Sequence, residues 1–159
     1  MNIIFDLDHT VIDSSHRQLT KADGSLDLDA WRDNCTAEMI HKDKLLPLAA
    51  VMRRAYENGH NVIICTARVM SSHDIAFLAS HNLRYTTLLS RAEGDDGCDA
   101  ELKERLFNWH FKHNRGVMSQ CVFFDDNKKV LAMAKRLGME ALDAVRTNQE
   151  LIKDPSIFS

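Results

Sequence analysis

The 159-residue chain carries 20 Lys and Arg against 23 Asp and Glu, a formal charge of −3, with 45% hydrophobic and 27% charged residues. These proportions fit one globular domain spanning 1–159 with a core of ordinary size, and they give no global positive field that would draw in nucleic acid. No apolar run is long enough to span a bilayer, and acids within the first stretch interrupt any signal-peptide core, so the expected location is the cytoplasm, with no membrane partner. Cys35, Cys65, Cys98 and Cys121 are widely spaced and form no Cys-x-x-Cys pair, which argues against a zinc knuckle or a disulfide framework.

In chain order, Asn2 to Phe5 reads as a buried parallel strand, rich in β-branched and aromatic residues. It runs into Asp6-Leu7-Asp8-His9-Thr10. Side chains two apart on an extended segment point the same way, which predicts that Asp6 and Asp8 share one pocket. A polar stretch with an Asp23-Gly24 turn signal follows, and 27–41 reads as a helix, so 14–44 is expected to form a small flap or cap. A second helix begins near Leu45 and ends at Gly59. Asn61 to Cys65 is the second strand and delivers Thr66-Ala67-Arg68. The next helix, about 71–81, is expected to turn Ile75, Leu78 and Ala79 to the core. Tyr85 to Leu89 is the third strand. After a polar loop, 99–113 reads as a helix with Leu102, Leu106 and Trp109 as its apolar stripe. Cys121 to Phe124 is the fourth strand, ending in Asp125-Asp126. A helix from about Val130 stops at Gly138, 139–145 is a fifth strand, and the polar tail from Thr147 is expected to be partly mobile. Strands alternating with helices predict an α/β fold, a Rossmann-like three-layer sandwich around a parallel sheet of about five strands.

In such sheets ligands bind beyond the carboxyl ends of the strands. Three strand ends carry polar chemistry here: Asp6 and Asp8, Thr66 and Arg68, Asp125 and Asp126. Two carboxylates about 4 Å apart repel by about 4 kcal/mol at an effective dielectric near 20, so converging acids call for a divalent cation. An all-oxygen donor set favours Mg²⁺ over zinc. Lys103, at the start of the helix after the third strand, adds a positive charge.

This ordered set resembles the haloacid dehalogenase superfamily of phosphotransferases. Its first motif, hydrophobic-Asp-x-Asp-x-Thr, is matched by Asp6 to Thr10, its strand-end Thr by Thr66, its helix lysine by Lys103, and its acidic pair by Asp125-Asp126. A closer similarity, to the phosphatase half of phage polynucleotide kinase-phosphatases, rests on Cys65 to Arg68, Leu89 to Asp95, Glu101 to Phe107 and the run from Phe124 through Gly138. The chain departs from that pattern at His9, where most of these phosphatases have Gly, and at Asn127, where the phage enzymes have Arg. It also lacks a Gly-x-x-x-x-Gly-Lys-Ser/Thr segment, so no kinase activity is expected.

The resemblance implies a Mg²⁺-dependent phosphomonoesterase working through a phosphoaspartate on Asp6. Asp8 serves as general acid and base; Thr66 and Lys103 stabilise the phosphoryl oxygens. The metal is held by Asp6, Asp8 through its main-chain carbonyl, and Asp126, with Asp125 supporting. Thr10, Arg68, Arg91 and Asn127 are the expected substrate-binding positions. The expected partner is a phosphorylated nucleotide or nucleic-acid end, with a polynucleotide 3′-phosphate first. A 5′-(deoxy)nucleotidase or a small-metabolite phosphatase stands as the alternative, and a non-catalytic binding module comes last. The short insertion after the first strand leaves the site open unless a homo-oligomer supplies a lid. The likeness to phage enzymes also allows a phage-encoded protein acting in a host's cytoplasm.

Overall fold

The computed structural model describes residues 1–158. Its elements run β1 (Asn2–Phe5), β2 (Ile12–Asp13), a 3₁₀ turn (Ser15–Arg17), α1 (Leu28–Asp33), α2 (Ala37–His41), β3 (Lys44–Leu45), α3 (Leu48–Glu57), β4 (Asn61–Thr66) and α4 (Ser72–Ser80). There follow β5 (Thr87–Ser90), α5 (Asp99–His110), a second 3₁₀ segment (Arg115–Gln120), β6 (Cys121–Asp125), α6 (Lys128–Arg136), β7 (Glu140–Asp143) and α7 (Ala144–Lys153).

Five strands form one sheet in the order β5-β4-β1-β6-β7, and every pairing within it is parallel. The most apolar strands take the centre, because only there are both faces covered. β1 sits in the middle, with Ile4 between Ile63 and Phe123. Side chains alternate across the sheet. Phe5, Val62, Ile64 and Phe124 pack with α3, α4 and α7, whereas Ile4, Ile63, Cys65 and Phe123 pack with α5 and α6. The result is the expected three-layer, Rossmann-like α/β architecture.

The alternation also sets the site. Asp6 follows Ile4 by two, and its amide still bonds the Phe124 carbonyl, so its side chain faces the α5 side. Beyond Asp6 the chain turns: the amides of Thr10, Val11 and Ile12 all bond the Leu7 carbonyl, and His9 adopts φ 62°. β2 and β3 then pair antiparallel, Ile12 with Leu45 and Asp13 with Lys44, and bracket the insertion between them.

Several boundaries differ from the sequence reading. The helix expected over 27–41 is broken into α1 and α2, because Thr36 restarts the helix by accepting from the Met39 amide as Asp27 does from Ala30. The third strand begins at Thr87 rather than Tyr85, α5 ends at His110, and the last strand is shorter than 139–145. The tail is ordered as α7, capped by Asp143 and anchored by buried Asn148 and Leu151. Two apolar stripes are rotated from their expected positions. Phe77 and Leu78 are buried on α4 while Ile75 and Ala79 are exposed. On α5, Trp109 is 62% exposed and Phe107 takes the core, edge-on to Phe123 at 5.2 Å. In each helix a charged residue, Asp74 or Lys103, is buried on the inner face. None of the helices among the described residues is long and apolar enough to cross a membrane.

Candidate active site

Asp6, Asp125 and Asp126 come together at the carboxyl ends of β1 and β6, each offering a carboxylate oxygen within 4.8 Å of the other two. Lys103 reaches in from α5 and donates to Asp6 Oδ1 at 2.9 Å and to Asp125 Oδ2 at 2.7 Å. It is 2% exposed. Burial would weaken its charge, but Asp6 and Asp125 outweigh that and hold the ammonium above its ordinary range. One cation thus faces three acids. The deficit registers on the pair that ends β6: burial first, then the Asp6 charge, pushes Asp125 up to about 6 and Asp126 up to about 8. Three convergent carboxylates with insufficient positive charge are a donor set that fits a hard divalent cation such as Mg²⁺.

The Asp8 carboxylate is not one of these three oxygens: the chain turns after Leu7, and Asp8 has other partners. Arg68 grips it with two bonds, Nε to Oδ2 at 2.8 Å and Nη2 to Oδ1 at 2.7 Å, and Ser14 Oγ donates to Oδ1. Burial alone would raise the Asp8 pKa, but the Arg68 charge and these donors hold it below its ordinary range.

Of the remaining expected residues, Thr66 ends β4 almost fully buried and its Oγ1 accepts from the Arg68 amide, which leaves its hydroxyl hydrogen to donate elsewhere. Thr10, expected at the substrate, is fully buried and donates to Asp6 Oδ2 at 3.1 Å, so it orients that carboxylate. Arg91 donates to the carbonyls of Ala67, Asp95 and Gly97 and to Asp99; its guanidinium braces the loop after β5. Asn127 caps α6 through the amides of Lys129 and Val130. Thr10, Arg91 and Asn127 thus each have partners within the protein. Arg68 is committed as well, to Asp8, to Asp74 at 2.7 Å and to Asp43 at 3.4 Å.

The sequence reading missed the network that ties the cap to this site. Arg17, fully buried, binds Asp43 with two bonds of 2.9 Å, and His16 Nε2 lies 2.7 Å from the same carboxylate. The Trp31 ring stacks on the Arg17 guanidinium, 4.3 Å from its centroid, with Arg68 at 5.8 Å. Nothing in the local sequence marks Arg17 or Asp43 as interior, since each sits in a polar stretch.

A family model described as "Bacteriophage T5 5'-deoxynucleotidase" matches residues 1–154. The chain belongs to the phage T5 5′-deoxynucleotidase family. A curated relative, the 5′-deoxynucleotidase of Escherichia phage T5, is 29% identical over 175 residues, covering 94% of this chain and 69% of its own. Among solved structures, a chain of the Pnkp1/Rnl/Hen1 RNA repair complex is similar at TM-score 0.62 and 26% identity over 89% of this chain. This chain spans 41% of that one. A haloacid dehalogenase-like hydrolase from Streptococcus pneumoniae shares the fold at TM-score 0.63 and 14% identity, with 93% and 90% of the two chains covered. This member of the phage T5 5′-deoxynucleotidase family has the fold of a haloacid dehalogenase-like hydrolase, as its motifs implied.

Proposed function

We propose that the protein hydrolyses the phosphomonoester of deoxynucleoside 5′-monophosphates, with Mg²⁺ and through a phosphoaspartate on Asp6. The observation that carries the reading is the buried Asp6 carboxylate, oriented by Thr10 and Lys103 beside an acidic pair that Lys103 only partly neutralises. The family match favours a 5′-nucleotide over the 3′-phosphate end that the motifs put first. The likeness to the RNA repair chain keeps a polynucleotide end as the second reading.

In the first step an Asp6 oxygen attacks phosphorus as the bond to the sugar oxygen breaks. The leaving oxygen keeps the electron pair and takes a proton from Asp8. In the second, Asp8 removes a proton from water as its oxygen attacks phosphorus, which returns Asp6 and releases phosphate. Asp8 is anionic at rest, and a phosphate dianion arriving beside it disfavours that anion and draws the proton in. Lys103 holds Asp6 in line and offsets charge on the phosphoryl oxygens, with Thr66 donating its hydroxyl. Mg²⁺, held by Asp6, Asp125 and Asp126, would screen the approach of anion to anion.

Phosphate release from a deoxynucleoside 5′-monophosphate, a 3′-monophosphate and a 3′-phosphorylated oligonucleotide tests the reading, each with Mg²⁺ or chelator. Preference for the 5′ substrate, dependent on Mg²⁺ and lost in Asp6→Asn, is expected. Preference for the 3′ oligonucleotide would move the function to end repair, and turnover by Asp6→Asn would overturn the nucleophile.

A further inference from the structure

A chain of hydrogen bonds leads away from Asp8 through side chains that the reaction as described does not use. Ser14 Oγ donates to Asp8 Oδ1; Gln18 Nε2 lies 2.8 Å from Ser14 Oγ; His9 Nε2 lies 2.8 Å from Gln18 Oε1. Its polarity follows from chemistry. The Asp8 carboxylate only accepts, so the single Ser14 hydroxyl hydrogen points to it. Ser14 must then accept, which turns the Gln18 amide nitrogen towards it. The Gln18 oxygen therefore faces His9, whose Nε2 carries a hydrogen.

We propose that Ser14, Gln18 and His9 are positioning residues for the proton transfer, fixing Asp8 so that Oδ2 is the atom that handles the proton. Oδ1 receives two donors, from Ser14 and from Arg68 Nη2, and both its lone pairs are occupied. Oδ2 receives only Arg68 Nε and keeps one lone-pair direction open. Without Ser14, the two oxygens become near equivalents and the carboxylate can pivot about the guanidinium.

Two further features fit this role. Ser14 is fully buried, and its hydroxyl has both a donor and an acceptor partner, so it is not a surface residue bonded by chance. His9 is held at φ 62°, a region in which a side chain is costly unless local contacts hold it. There the imidazole reaches Gln18.

The proposal rests on Asp8 acting as general acid, and the test separates the two. A deoxynucleoside 5′-monophosphate has a poor leaving group that needs a proton, whereas p-nitrophenyl phosphate releases a phenolate that does not. The ratio of kcat/KM for the two substrates therefore reads proton delivery, and a loss caused only by structural damage lowers both alike. Ser14→Ala removes the donor. Gln18→Glu keeps size and the His9 contact, but an acceptor-only side chain pulls the Ser14 hydrogen away from Asp8. Both variants are expected to lose about tenfold or more of kcat/KM on the nucleotide relative to the aryl ester. His9→Gly is expected to shift the ratio in the same direction with a Tm that is unchanged or higher. Asp8→Asn provides the reference. If it shifts the ratio while Ser14→Ala and Gln18→Glu do not, the positioning role is overturned and the general acid stands. If Asp8→Asn itself leaves the ratio unchanged, the general-acid reading falls first.

Discussion

In chelator, raising the pH from about 5 to about 8 should destabilise this protein, and saturating Mg²⁺ should abolish the loss. Asp126 lies within 4.8 Å of the Asp6 and Asp125 carboxylates, and burial, followed by the Asp6 charge, pushes it from 3.8 up to about 8. Across that interval the native protein keeps a proton that the unfolded chain has already released. Stability falls wherever the native state binds more protons, by about 1.4 kcal/mol per pH unit for one proton. A full proton would give about 4 kcal/mol, and because Asp126 is partly exposed, solvent screening brings the expected loss to about 2 kcal/mol. For a chain of this size that is a fall in Tm of about 4–8 °C. Asp125, pushed up to about 6, adds to the slope only at its acidic end. Asp8 does not contribute: its pKa is lowered, so its stabilisation is complete above the unfolded value and is lost only as pH falls through the folded one. Mg²⁺ binds the deprotonated carboxylates, so the metal-bound native state no longer holds the extra proton. Thermal melts at stepped pH in chelator and in excess Mg²⁺, with Asp126→Asn alongside, measure the effect. A Tm that is level or rises in chelator, or a slope that persists in Asp126→Asn, refutes the reasoning.

Lys103→Met leaves Asp6 and Asp125 buried without their shared cation and should cost about 3–5 kcal/mol in urea unfolding at alkaline pH in chelator. A cost below about 1 kcal/mol would mean that Lys103 does not neutralise the cluster. Arg17→Met removes both bonds to Asp43 and the Trp31 stack, with a similar expected cost. The segment 18–42 should then become the first site of limited proteolysis, and a cleavage pattern identical to wild type would contradict a role for Arg17 in holding it. Arg91→Met, which frees the loop after β5, should lower stability by about 1–3 kcal/mol with little change in KM. A KM raised more than about tenfold at unchanged stability would return Arg91 to the substrate.

The alternation of strands with helices and the placing of acids at strand ends were legible because they depend on signals local in sequence. Apolar runs of strand length alternate with helical periods, and Asp6, Thr66 and Asp125 each sit at or just past the end of such a run. The four motifs in order were enough to point to the fold of the haloacid dehalogenase-like hydrolases. The hydrophobic pattern failed where a charge is buried: it cannot count Lys103 as interior, so it gave the inner face of α5 to Trp109 instead of Phe107. Lys103 was expected at the acids, but tertiary structure alone decided how other charged side chains pair: Arg68 and Asp8 meet across 60 residues, and Arg17 and Asp43 across 26. Such pairings leave no trace in composition or period, because an ion pair is stabilised by the partner that the fold brings to it and by exclusion of water from both. For the same reason the bonds that Arg91, Thr10 and Asn127 make within the protein could not be read from their motifs.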